Sequence, residues 1–236
     1  AAVVAGGAAL RLTGIGAESV DLEEYACTGA LHVHGLRHFL AEQRALYPYG
    51  APGVPLLYYL WAALFGDAIV AVRLLSALTG TALLLLLPPL AREIWPDDPK
   101  TARSAGFVAV LCAALSPVCL FQAQEARMYA FVAFFAALSS LSLLRAARTG
   151  RRRWWAVNIA ANGALVWCHY FAAFLWPAQG LWLLCAAGVR WRTRCRWLAA
   201  CKRLPPSPVR AKSCRDRWGL AMRRRPRFKP IGGKNF

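Results

Sequence analysis

The chain reads as an all-α protein, a polytopic membrane helical bundle. Of its 236 residues, 58% are hydrophobic and 17% charged, too apolar a mixture for a disordered chain. The apolar residues fall in blocks that approach 20, about the length a helix needs to cross a hydrocarbon core of roughly 30 Å. These blocks lack a polar stripe, and a helix that is apolar all round belongs in lipid, because a water-facing helix keeps a polar face. Five such helices in one soluble core would need more polar surface than this chain can supply. Eight cysteines, with no C-x-x-C among them, are too sparse for a disulfide scaffold and read as small packing residues or isolated thiols.

The elements follow in order. The opening AAVVAGGAALRLTGI reads as the end of a span; without an initial Met, a trimmed N-terminus is expected. Residues 18–66 form a long loop. Within it, residues 28–46 place Leu31, Leu36, Phe39, Leu40 and Leu46 at helical spacing with Arg37, Glu42 and Arg44 between them, the pattern of an amphipathic helix lying along the membrane. Residues 54–66 (VPLLYYLWAALFG) make about 20 Å of helix, too short to cross, and their aromatics suit the interface. Spans are expected at 68–91, with the single charge Arg73, at 105–121 and 128–144, and at 154–170 and 171–189, which meet around His169. Pro117 is expected to kink the second of these.

Lysine and arginine in short loops set the orientation. Residues 145–153 (RAARTGRRR) hold five arginines and no acid, so that loop is expected in the cytoplasm. Counting spans then puts the 18–66 loop, the 122–127 turn and His169 together on the outer side. Residues 190–236 carry 16 Lys+Arg against one acid, Asp216. This basic tail follows no helical or strand period; it reads as disordered or as an out-of-frame end. The domain division is therefore 1–189, a transmembrane domain, and 190–236, the tail.

Ionisable groups near or inside spans are costly and mark sites of function. Three clusters qualify. SVDLEEYA brings Asp21, Glu23 and Glu24 together after the first span. Mutual repulsion raises at least one carboxyl, and a carboxylate at a partly dry boundary can serve as a general base; spacing does not choose among the three. QAQEARMYA sets Gln124, Glu125 and Arg127 at the outer end of a span, where an arginine can hold phosphate by two hydrogen bonds. WCHYFA puts His169 and Tyr170 at the junction of two spans, the histidine suited to phosphate, proton or metal. His32, His34 and His38 in HVHGLRH lack a closely spaced partner, and no metal site is assigned. The Walker and Rossmann glycine patterns are absent, which leaves soluble nucleotide use without support.

The ordered set of these motifs, with YPYGAPGVPLLYYLWAALFG and VRLLSALTG between them, resembles the GT-C membrane glycosyltransferases of the protein O-mannosyltransferase and aminoarabinose transferase-like group. SPVCLFQAQEARMYAF is the most specific segment. PGVPLLYYLWAALFG is similar to a Pro-Pro-Leu-Tyr-Tyr stretch of that group, with Gly53 and Val54 set between its prolines. The resemblance spans about residues 5–189. It implies transfer of a sugar from a polyprenyl-phosphate donor to a glycan, lipid or protein acceptor on the outer face, with inversion, in a bacterial plasma membrane. An acid of the first outer loop would be the base: Glu23 and Glu24 match the group's Asp-Glu pair, with Asp21 two residues earlier. Arg127, Glu125, Gln124, His169 and Tyr170 would meet the donor. The lipid-linked sugar is the implied donor, a divalent metal is left open, and no nucleic acid is expected. Members of the group continue into further spans, so a partial protein, inactive alone, is expected. A transporter or membrane scaffold is the alternative.

Overall fold

The computed structural model describes residues 2–185, and among them every regular element is helical. The tail at 190–236 and the end of the 171–189 block lie outside the described residues. The helices are α1 (Ala2–Leu12), α2 (Leu22–Thr28), α3 (Leu36–Leu46), α4 (Gly53–Phe65), α5 (Ile69–Ile94), α6 (Pro99–Leu115), α7 (Pro117–Gln124), α8 (Tyr129–Thr149), α9 (Arg152–Cys168) and α10 (Leu175–Cys185), with a 3-10 turn at Tyr170–Phe174 before the last. The fold is an all-α membrane bundle.

Among the described residues two helices, α5 and α8, are long and apolar enough to cross a membrane, and α6 with α7 makes a third if the bent pair crosses as one. The expected spans at 68–91, 105–121 and 128–144 fall on these helices, and those at 154–170 and 171–189 on shorter ones. Helix α9 has 17 residues, about 25 Å at 1.5 Å per residue, and begins on a pair of arginines. The 171–189 block is interrupted by the 3-10 turn, so α10 has 11 residues. The 154–170 block keeps its expected length in α9, which begins and ends two residues earlier.

The kink is where expected. Ser116 ends α6, its side chain accepts from the Cys119 N–H, and Pro117 starts α7; the two helices differ in direction by 59°. Proline fits a first helical turn because its missing N–H would be unpaired there. The amphipathic loop helix is shorter than expected. It starts at Leu36, because Gly35 adopts φ 91°, a conformation open chiefly to glycine. His34 therefore lies outside the helix that carries His38. The segment before it forms α2, capped by Asp21.

Helices α5, α6–α7, α8 and α9 alternate in direction. At one end of the bundle Glu93, near the close of α5, accepts from Arg145 Nε at 2.9 Å and from Arg148 Nε and Nη2 at 2.8 and 2.9 Å. At the other end α8 starts beside Arg127, and its Tyr129 ring lies 6.4 Å from the His169 ring at the close of α9. Arg73 and Glu93 on the same helix α5 are about 30 Å apart by helical rise, which equals the thickness of a bilayer's apolar core.

Between these charged ends the packing is by small residues and by a few polar ones. In lipid there is little hydrophobic drive between helices, so close packing and hydrogen bonds carry the association. Asn158 Nδ2 of α9 donates to the Ser139 carbonyl at 2.8 Å, and Gln179 Nε2 of α10 donates to Ser139 Oγ at 2.7 Å. Asn162 Nδ2 donates to Gln179 Oε1 at 3.3 Å. The two asparagines thus tie α8, α9 and α10 together, Asn158 directly and Asn162 through Gln179, around one serine.

Candidate functional site

The site forms where α2, α5, α7 and α8 meet. Its floor is an apolar cluster of Cys27, Val54, Tyr58, Val72, Ala126, Phe131 and Cys168. Tyr58 is wholly buried; its hydroxyl lies 2.5 Å from Ser76 Oγ and donates to the Arg127 carbonyl at 3.2 Å. A main-chain bond to the very residue that heads the site fixes where α8 begins.

Helix α2 brings the acids. Asp21 Oδ1 accepts the Glu24 N–H at 2.7 Å, a side-chain cap that satisfies one of the orphan donors of the first turn. With Asp21 at the cap, Glu23 and Glu24 fall in the first turn and diverge. Glu24 points inward and is wholly buried. Its carboxylate accepts from Arg73 Nε at 2.8 Å, Arg73 Nη2 at 2.6 Å and the Ala126 N–H at 2.7 Å. Arg73 in turn donates from Nη1 to the carbonyls of Ile15 and Glu18, each at 3.0 Å. A buried ion pair is tolerable only when the remaining hydrogen-bonding capacity is used as well, and here it is. Glu24 therefore joins α2, α5 and the α7–α8 turn, with both carboxylate oxygens engaged.

Arg127 gathers the other acids. Its Nη1 lies 2.9 Å from Glu125 Oε2 and 3.5 Å from Asp21 Oδ2, and its Nη2 pairs with Glu23. The guanidinium also lies over the Tyr129 ring, 5.6 Å from its centre, a favourable cation–π contact. Its Nε is buried without a partner. The Arg127 side chain is 10% exposed and that of Glu23 63%, so the site has a buried cationic floor and an accessible acidic rim. One guanidinium facing three carboxylates leaves surplus negative charge. Burial, reinforced by Asp21, Glu24 and Glu18 and opposed by Arg73, pushes the Glu125 carboxyl up to about 7.

The remaining expected residues sit at graded distances from this centre. His169 reaches it through Tyr129, the same ring that lies under Arg127. Tyr170 is exposed and its hydroxyl donates to the Gly50 carbonyl at 3.4 Å, on the side of the loop helices. Gln124 turns away: its Nε2 donates to the carbonyls of Leu10 and Thr13 at 3.0 and 2.7 Å and so closes the end of α1. Among the described residues no group of three or more His, Cys, Asp or Glu is placed to hold a metal ion. Sequence reasoning passed over Arg73 as a partner for Glu24, although a lone arginine inside an otherwise apolar stretch was the available signal. It gave Tyr58 no role, although the residue stands in the Leu-Tyr-Tyr stretch that carries part of the resemblance.

Residues 49–205 match the family model described as dolichyl-phosphate-mannose-protein mannosyltransferase. No curated protein and no solved structure matches the chain.

Proposed function

The chain belongs to the dolichyl-phosphate-mannose-protein mannosyltransferase family and is a membrane glycosyltransferase, and from this we propose that it moves a sugar from a polyprenyl phosphate to an acceptor on the outer face of the membrane, with Glu23 as base and Arg127 as phosphate holder. The single observation that carries the reading is the meeting of Asp21, Glu23 and Glu125 on Arg127, which joins an acid able to take a proton to a cation able to hold a phosphate.

The residues divide the work by exposure. Glu23 is the accessible carboxylate, whereas Glu24 is consumed by Arg73 and acts as a positioning residue. Asp21 is tied to the cap of α2 and steadies the guanidinium. A donor phosphate arriving at Arg127 competes with the carboxylates already there, and the exposed Glu23 is the one free to yield. Phosphate binding then releases the base at the moment it is needed. In the transfer, the acceptor hydroxyl gives its proton to Glu23 and its oxygen bonds to the anomeric carbon. The bond from that carbon to the phosphate oxygen breaks, and the polyprenyl phosphate leaves with the electron pair, its new charge facing Arg127. One displacement inverts the anomeric configuration.

The test uses membranes carrying the full chain and a labelled polyprenyl-phosphate sugar. Glu23→Gln should lower transfer by about 10²–10⁴-fold, the usual contribution of a general base, with the amount of folded protein unchanged. Arg127→Ala should abolish transfer, and Arg127→Lys should restore part of it. Transfer by Glu23→Gln at the parental rate removes the base assignment, and transfer by Arg127→Ala at that rate removes the phosphate site.

A further inference from the structure

A second buried arginine lies outside the site. Arg11, on the last turn of α1, is wholly buried. Its Nη1 donates to the Gly7 carbonyl at 2.9 Å and its Nη2 to the Ala113 carbonyl at 3.0 Å. Among the described residues no carboxylate pairs with it, in contrast to Arg73 and Arg127. A buried cation without a counter-charge is among the most costly arrangements in a protein, and in a membrane chain it marks a site of binding.

The guanidinium lines a partly open, mainly apolar cavity of about 260 Å³ between α1, α5, α7 and α8, with Leu83, Val118, Cys119 and Ala133 on its walls. Two buried polar atoms on that wall lack partners, the Arg11 Nε donor and the Gln122 Oε1 acceptor. The space beside the Nε is kept by a glycine: a Cβ at Gly80 would stand 3.2 Å from Arg11 Nε and 2.8 Å from the Ala123 Cβ. A complementary ligand must therefore carry a negative charge and an acceptor for Nε–H, a hydroxyl for Gln122, and an apolar body. A phosphate monoester, or a phosphate bearing a glycerol, on a hydrocarbon chain has all of these.

We propose that this cavity is a binding site for a phosphate-bearing membrane lipid, its headgroup on Arg11 and Gln122 and its chain along Leu83 and Val118. The cavity borders the transfer centre through Tyr129, whose ring also packs against Arg127, but its polar groups, Arg11 and Gln122, have no part in the transfer reaction. The lipid supplies the counter-charge that the chain itself does not, and it joins α1 to the kinked end of α7.

Cys119 on the cavity wall is the reporter, and the exposed Cys112, which does not line the cavity, is the internal reference. The full chain in neutral detergent is treated with N-ethylmaleimide, and alkylation of each cysteine is followed by peptide mass spectrometry. Dodecyl phosphate should slow modification of Cys119 and leave Cys112 unchanged. Dodecanol and inorganic phosphate at the same concentration should not protect. Arg11→Gln should need at least about tenfold more dodecyl phosphate for equal protection, the loss expected of one hydrogen bond to a charged group, and Arg11→Lys should fall between. Equal protection by dodecanol would show an apolar cavity only, and equal protection by inorganic phosphate would show a free-anion site; either overturns the lipid assignment. So does an unprotected Cys119, or protection undiminished in Arg11→Gln. The comparison of the three probes needs no variant, so a poorly folding Arg11→Gln leaves the outcome decidable.

Discussion

Glu24 and Arg73, 49 positions apart in the chain, form a two-point ion pair in which Nε and Nη2 of the arginine meet Oε1 and Oε2 of the carboxylate at 2.8 and 2.6 Å. Because the Ala126 N–H shares Oε1 at 2.7 Å, the same carboxylate sets the turn that carries Glu125 and Arg127. A buried carboxylate thus decides where the Arg127 guanidinium stands.

Arg73→Leu should destabilise the folded chain by about 3–5 kcal/mol, the range for stranding one member of a buried pair. Glu24→Leu should cost a similar amount, since it strands the arginine. Removing both together should cost less than the sum, because no uncompensated charge is left behind. Thermal unfolding in detergent of the two singles and the double checks this; additive losses would mean the two side chains act independently.

Glu125 gives the chain a pH dependence of defined sign. Its carboxyl is raised from 4.5 to about 7 by burial and by neighbouring acids. Between those values the folded chain keeps a proton that the unfolded chain has released. Stability from this group is therefore full below about 4.5, falls as pH rises through the window, and is level above about 7. Melting temperatures of the parent and Glu125→Gln across pH 4.5–8 should converge in slope at the alkaline end, with the variant flatter in the window.

Gly53 stands where α4 meets α9. A Cβ there would lie 2.5 Å from the Trp167 carbonyl oxygen and 2.7 Å from its carbon, main-chain atoms that cannot swing aside. Gly53→Ala should destabilise by about 1–3 kcal/mol, the usual cost of overpacking, despite alanine's better helix propensity. A melting temperature at or above that of the parent would show that the two helices have room to part.

Glu93→Gln should weaken the opposite end of the bundle by a smaller amount. The carboxylate is 5% exposed, but Arg148 is 57% exposed and can turn to water once released. A loss of about 1–2 kcal/mol is expected, and it should grow as salt is lowered. Melting at two ionic strengths reads both.

The helical class, the broken span at Ser116 and Pro117, and the interfacial length of α4 were legible because each is local: apolar period, proline and run length are all properties of a short window. The gathering of Asp21, Glu23 and Glu125 on Arg127 was legible only as clusters, since loop parity says which residues share a side and not which touch. Glu24 and Glu23 look equivalent in DLEEY, and their opposite fates depend on Asp21 capping α2, which turns one inward and one out. Gln124 looked like part of the QAQEAR phosphate run, yet its amide serves α1, an element more than a hundred positions earlier.

Helix α5 is fastened twice, through Arg73 to Glu24 and the Ala126 amide, and through Glu93 to Arg145 and Arg148. The fastenings lie about 30 Å apart by helical rise, one at each mouth of the bundle. One end is held to α2 and, through Glu24, to the turn before α8, and the other to the close of α8, so α5 cannot ratchet by a turn unless both pins break together. The 59° bend between α6 and α7 lies outside both fastenings.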